Sequence, residues 1–154
     1  IQSCSSFVFA SGIALARIYM GKIFDRHGPK ALAIVGTLLL VAGHIILGLI
    51  LSLPGFLTAG FLLGIGSGII FPTFQAMVNN LAPAHRRGAA NSTLFSGLDL
   101  GIGLGMLLTG YLAHSIGLPE TYLIYGGLNL LALAYFIFVS MKHYKENLLI
   151  AWGK

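Results

Sequence analysis

Gly21-Lys22-Ile23-Phe24-Asp25-Arg26-His27-Gly28-Pro29-Lys30 is a short basic stretch lying between two long apolar runs. Its cations are Lys22, Arg26 and Lys30, its one acid is Asp25, and His27-Gly28-Pro29 supplies a turn. Glycine reaches backbone angles closed to other residues and proline lacks the N–H a helix needs, so one helix ends here and another begins. Gly21 permits close approach of a neighbour. A carboxylate at such a turn can cap and charge-stabilise the N-terminus of a further helix. The runs on either side approach the ~20 mostly apolar residues that cross a hydrocarbon core. Two membrane helices joined by a tight basic turn is therefore the unit from which the rest is read.

Composition agrees. Apolar residues make up 56% of the chain and charged residues 8%, against about 45–50% and about 25% in soluble domains. So few charges cannot cover the surface of a water-soluble domain of 154 residues, so the medium is lipid. The formal net charge of +5 then bears on orientation and not on nucleic acid, for which no binding is expected. Cys4 is the only cysteine, which excludes a disulfide framework and a thiolate metal cluster. A first residue of Ile reads as a fragment or trimmed product, and residues 1–6 show no basic region of a secretory signal.

Five spans are expected over residues 5–24, 31–51, 55–79, 89–115 and 118–141, with 142–154 as a tail. Leu53-Pro54-Gly55, Ala82-Pro83 and Gly117-Leu118-Pro119 punctuate them as Gly28-Pro29 does. Lys22, Arg26 and Lys30 follow the first span, Arg86 and Arg87 the third, and Lys142 and Lys145 the fifth. The intervening turns, Ser52-Leu53-Pro54 and Ile116-Gly117-Leu118, carry no cation. The positive-inside rule puts the basic loops and the C-terminal tail in the cytoplasm. Asn91-Ser92-Thr93 matches a glycosylation sequon, but this orientation places it on the wrong side, and the match is read as chance.

The spans differ in kind. Residues 31–51 and 118–141 are aliphatic or aromatic around most of their circumference, as lipid-facing helices are. Gly60, Gly64 and Gly68 recur every fourth residue in the third span, and Gly97, Gly101 and Gly105 do so in the fourth. That spacing aligns small residues on one face and lets helices pack closely. At about 100° per residue Asp99 lies nearly opposite Gly101, so a glycine seam faces a neighbour while Asp99, Ser92, Ser96, Gly103 and Gly110 face a cavity. Gln75 shares a face with Gly64 and Gly68, and Pro72 is expected to kink its helix.

An ionisable group inside a span costs about 2.5–3.5 kcal/mol on insertion scales. Asp99 lies about 18 Å beyond Arg87 at 1.5 Å per residue, near the bilayer midplane. A proton carrier, a ligand for a cationic substrate and a gate residue are its functional readings, and a packing ion pair its structural one. Arg17 either snorkels to the interface or reaches Asp99. His44, with Thr37 and Gly48 on one narrow face, reads as a neutral packing histidine. His114 and Glu120 fall at the outer end. Gly66-Ser67-Gly68 with His114 echoes an intramembrane serine hydrolase only faintly, since Ile65 breaks the motif. No carboxylate pair or histidine cluster suggests a metal, no glycine loop follows a strand to hold a nucleotide, and neither an enzyme nor a cofactor is expected.

The opening stretch resembles motif A of the major facilitator superfamily, Gly-x-x-x-Asp-(Arg/Lys)-x-Gly-(Arg/Lys)-(Arg/Lys). Gly21, Asp25, Arg26, Gly28 and Lys30 match it, and Pro29 departs from a usual basic position. The stretch from Gly64 to Gly110, with Pro72, Pro83, Arg86, Arg87, Gly88 and Asp99-Leu100-Gly101, is similar to the tenth and eleventh helices of that family. The resemblance implies an all-α polytopic membrane protein: five transmembrane helices, the eighth to the twelfth, from the C-terminal six-helix half of a twelve-helix transporter. It implies a missing N-terminal half as partner, a surrounding bilayer, a small-molecule substrate and alternating access in the plasma membrane, with proton-coupled drug or metabolite efflux as one form. Asp25 would lock a gate, and Asp99, Arg17 and Gln75 are the candidates for transport or proton coupling. A self-contained five-span channel or scaffold is the competing expectation, and an intramembrane hydrolase a third.

Overall fold

A computed structural model describes residues 2–152, without the side chains of residues 2–5, 19–27 and 148–152. All the elements are helical: α1 (Gln2–Leu49), α2 (Leu53–Leu81), a single 3-10 turn (Ala84–Arg86), α3 (Arg87–Ile116), α4 (Leu118–Tyr135), a π turn (Phe136–Ser140) and α5 (Met141–Trp152). Gly28 divides α1 into two arms, with φ 71° and ψ 172°. Positive φ selects glycine there, and the proline that follows pushes its predecessor out of the helical region into extended ψ. Gly117 does the same between α3 and α4, at φ 98° and ψ 161°, two residues before Pro119. The turn before α2 is built differently. Ser52 is its N-cap, accepting the Gly55 N–H at 3.3 Å, with Pro54 in the first turn, where a missing N–H costs nothing.

Four segments among the described residues are long and apolar enough to cross a bilayer: Gly28–Leu49, Leu53–Leu81, Ala84–Ile116 and Leu118–Asn147. The N-terminal arm of α1 contributes the shorter apolar stretch Ser6–Ile18. This is a multi-pass integral membrane architecture. Phe7, Leu51, Leu107 and Phe138 point outward with their side chains largely exposed, which lipid accepts and water would not. Lipid tails are as apolar as leucine, so helix pairing must come from close packing and interhelical hydrogen bonds.

Close packing is concentrated on α2, which is wedged between the two arms of α1. A methyl group added at Gly64 would overlap the carbonyl oxygen of Phe9, and one at Gly68 would come within 2.9 Å of the Ala16 methyl. On the opposite side of α2, a methyl at Gly66 would meet Gly36 O at 2.8 Å. The arms answer with small residues of their own: Gly12 against Phe61 and Ile65, Gly36 against Ile70, and Gly43 against Leu63. The glycine row of the third expected span, now α2, is thus a packing surface at Gly64 and Gly68. Gly60 instead lines a cavity of about 330 Å³ with Phe9, Leu47 and Tyr122. Residues 31–51, expected to face lipid, do so along Val35, Leu38 and Ile45. The same helix also buries Leu32, Ala33, Gly36, Val41 and Gly43. The α2 helix runs on through Pro72 to Leu81, with no residue out of helical geometry.

The stretch expected as a tail is helical as far as Trp152. It follows a π turn in which the Met141 N–H reaches back to Phe136 O. A π turn takes one residue more than an α turn. That extra residue brings Met141, and with it Tyr144, onto the side of Phe136, where all three bury with Ala33 and Met77. Asn80 Nδ2 donates to the Tyr144 hydroxyl at 3.2 Å, tying α5 to the end of α2.

Candidate functional site

The site begins with a helix that the rest of the chain barely touches. Not one residue of α3 is buried. A methyl group added at Gly97, Gly101, Gly103, Gly105 or Gly110 would meet nothing within 4 Å. The second glycine seam therefore has no packing partner among the described residues, although its spacing matches that of Gly64 and Gly68. The exposed side chains of α3 include Leu100, Leu104, Met106, Leu107 and Tyr111.

Among the described residues, three ties hold α3 in place. At its start, Asn91 Nδ2 donates to Asn79 Oδ1 at 2.8 Å and to Arg87 O at 3.0 Å, while Asn91 Oδ1 is buried without a partner. One turn on, the rings of Phe95 and Phe71 pack with centroids 5.7 Å apart. Toward the far end, the hydroxyls of Thr109 and Tyr125 lie 2.7 Å apart and both reach Gly105 O, at 2.7 and 3.0 Å. The Tyr125 ring also packs on His44, centroid to centroid 6.1 Å. His44 Nδ1–H donates to Leu40 O at 2.7 Å, the arrangement expected of a packing histidine. Sequence reading misses Asn79, Asn91, Thr109 and Tyr125, though polar side chains inside apolar spans are themselves a signal, since each needs a partner there.

Between these ties Asp99 is exposed. With Ser96, Gly103 and Leu107 it lines an open groove of about 530 Å³. The helical spacing brings Ser96 and Gly103 beside the carboxylate as expected, whereas the Ser92 hydroxyl turns back to Gly88 O at 3.1 Å. Arg17 is exposed too, and no ion pair joins it to Asp99 among the described residues. Gln75 is half-buried on α2, and Lys30 is exposed just after the Gly28 turn. The side chains of Asp25 and Arg26, and Gly21 with them, lie outside the described residues. Ser67 directs its hydroxyl to Leu63 O at 2.7 Å and Gly64 O at 3.2 Å, so its proton is committed to the backbone of its own helix. One carboxylate beside one hydroxyl in an apolar groove can hold a proton or a cation.

Comparison with known proteins extends this picture. Over 119 residues, 77% of the chain, it is 32% identical to multidrug resistance protein MdtG of Dickeya zeae. Over 116 residues, 75% of the chain, it is 33% identical to an uncharacterized MFS-type transporter of Burkholderia mallei. A third relative, an uncharacterized MFS-type transporter of Methanocaldococcus jannaschii, is 27% identical over 124 residues, 80% of the chain. These alignments cover 28%, 28% and 32% of the respective relatives, so the chain spans about a third of their length. The family match itself runs over residues 2–152. With its helices, its small-residue packing and this match across nearly its whole length, the chain belongs to the Major Facilitator Superfamily.

Proposed function

We propose that the chain is the C-terminal part of a secondary transporter that moves a small solute across the cell membrane by alternating access, without covalent chemistry. Proton-coupled export of drugs or metabolites is the activity we assign to it. The observation that carries the reading is Asp99: an acid about 18 Å along α3 from Arg87, in an open groove with Ser96 and Gly103, on a helix with no buried residue. A carboxylate at bilayer depth is expensive, and one without an ion-pair partner among the described residues is suited to carry a proton or meet a cation from a cavity. Family membership supports transport in general, and the multidrug resistance name of one relative supports export. In this reading the basic loops and the C-terminus face the cytoplasm. Asp25 acts at the membrane edge as a gate lock against a helix of the other half, and the glycine seam of α3 packs against a helix outside this chain.

The test uses the longer protein containing this chain, reconstituted in vesicles. Asp99→Asn should abolish transport driven by a proton gradient while sparing solute exchange at equilibrium. Normal pH-dependent transport by a well-expressed Asp99→Asn protein would remove Asp99 from the mechanism and the proton coupling with it. Asp25→Asn should slow turnover and leave substrate affinity nearly unchanged; a large loss of affinity at unchanged turnover would make it a substrate ligand instead.

A further inference from the structure

Away from Asp99, a second groove of about 300 Å³ runs between α2 and the far end of α4, over the π turn. Its walls are Phe74, Val78 and Leu81 on one side and Tyr135 and Val139 on the other, and Ser140 and His143 line it as well. The polar members follow the apolar ones along the chain. They lie at the level where Asn80 bonds Tyr144, beside the end of α2 that leads into His85, Arg86 and Arg87. Lys142 and Lys145, both exposed, flank His143 in α5, and Glu146 is the carboxylate among them. The π turn helps to produce this layout. By turning Met141 and Tyr144 into the core with Phe136, it leaves Ser140 and His143 at the groove.

We propose that this groove binds an anionic phospholipid of the surrounding bilayer, its acyl chain against Phe74, Val78 and Val139 and its phosphate at Ser140, His143 and Lys142. Charge and position select this occupant. The groove opens on helices that face hydrocarbon, which supplies the chain. The surplus of cations at its polar end favours a negative headgroup, as juxtamembrane basic clusters do. A zwitterionic lipid would fit the walls equally well but gain nothing from Lys142 and Lys145.

Phosphatidylglycerol and phosphatidylcholine carrying a photoreactive acyl chain test the proposal on the 154-residue chain in nanodiscs, with cross-linked peptides read by mass spectrometry. Phosphatidylglycerol should label the peptides spanning 74–81 and 135–144 at least about fivefold more than phosphatidylcholine, the factor that even one added surface cation produces. Lys142→Gln with Lys145→Gln should bring the two lipids level while labelling continues. Val78→Trp should fill the groove and remove the labelling there with either lipid. Free inorganic phosphate should not compete, because the acyl chain contributes the binding that phosphate lacks. Equal labelling by both lipids in the unaltered chain would mean ordinary annular lipid. Absence of label from both peptides, or displacement by inorganic phosphate, would equally overturn the proposal. The same labelling on the longer protein separates lipid from protein as the occupant: a groove that labels only in the 154-residue chain is covered by another helix, which also overturns it.

Discussion

Gly28 alone sets the turn between the two arms of α1. Its φ of 71° and ψ of 172° lie in a region that is essentially glycine-only and that costs other residues about 1–3 kcal/mol. A methyl group there would meet nothing within 4 Å, so the cost of Gly28→Ala is torsional and not steric. Thermal unfolding in detergent should register a destabilisation of that order; no change would mean that the turn relaxes freely. The sequence displays this position openly, because Gly-Pro after a basic run has few other readings. Asp99 was equally visible by its depth in an apolar run. Whether Arg17 pairs with it was not, since that depends on how the first arm of α1 is turned relative to α3. With no ion pair between them, Asp99→Asn and Arg17→Ala should be additive in stability within about 0.5 kcal/mol. Coupling well above that value would restore the pair.

Two helices carry the same glycine spacing and meet opposite fates. On α2, Gly64 and Gly68 touch the first arm of α1 so closely that a larger side chain must push the helices apart. Gly64→Ile should therefore destabilise the chain by about 1–3 kcal/mol or more, the usual range for overpacking. Gly101→Ile, facing open space, should leave this chain's unfolding unchanged while impairing the longer protein if the seam packs there. Loss of stability in the 154-residue chain with Gly101→Ile would mean that the seam is already used. Tyr125→Phe is the third case. It removes the hydroxyl shared with Thr109 and Gly105 O, one of three ties on α3, and membrane hydrogen bonds of this kind average about 0.6 kcal/mol. Small changes in unfolding with a marked rise in hydrogen exchange along the second half of α3 are expected.

For the molecule as a whole, the alternation of basic and uncharged turns has a direct readout. Cysteines at Leu53 and Leu118 should react with an impermeant reagent from outside, and one at Lys145 should not. The opposite pattern would reverse the orientation and remove the gate assigned to Asp25. The 154-residue chain, reconstituted alone, should not transport, because the Asp99 groove and the apolar face of α3 are open to lipid instead of enclosing a path. Robust solute uptake by that preparation would overturn the view that the transport path needs a second half.

Fold class, the long helices and their punctuation are legible in the sequence because each follows from short-range causes. About 20 apolar residues must become helix in hydrocarbon to satisfy their own backbone, and Gly, Pro and an N-capping Ser act within a few residues. Which helix faces pair is a different matter. In lipid no apolar face is intrinsically driven inward, so the choice rests on surface shape and on interhelical hydrogen bonds between residues far apart in sequence. Only the tertiary structure therefore decides that α2 is wedged between the arms of α1 through Gly64, Gly66 and Gly68, and that the supposed tail docks through Met141 and Tyr144. It alone also decides that Asp99 lines an open groove and that the glycine seam of α3 meets no packing partner among the described residues.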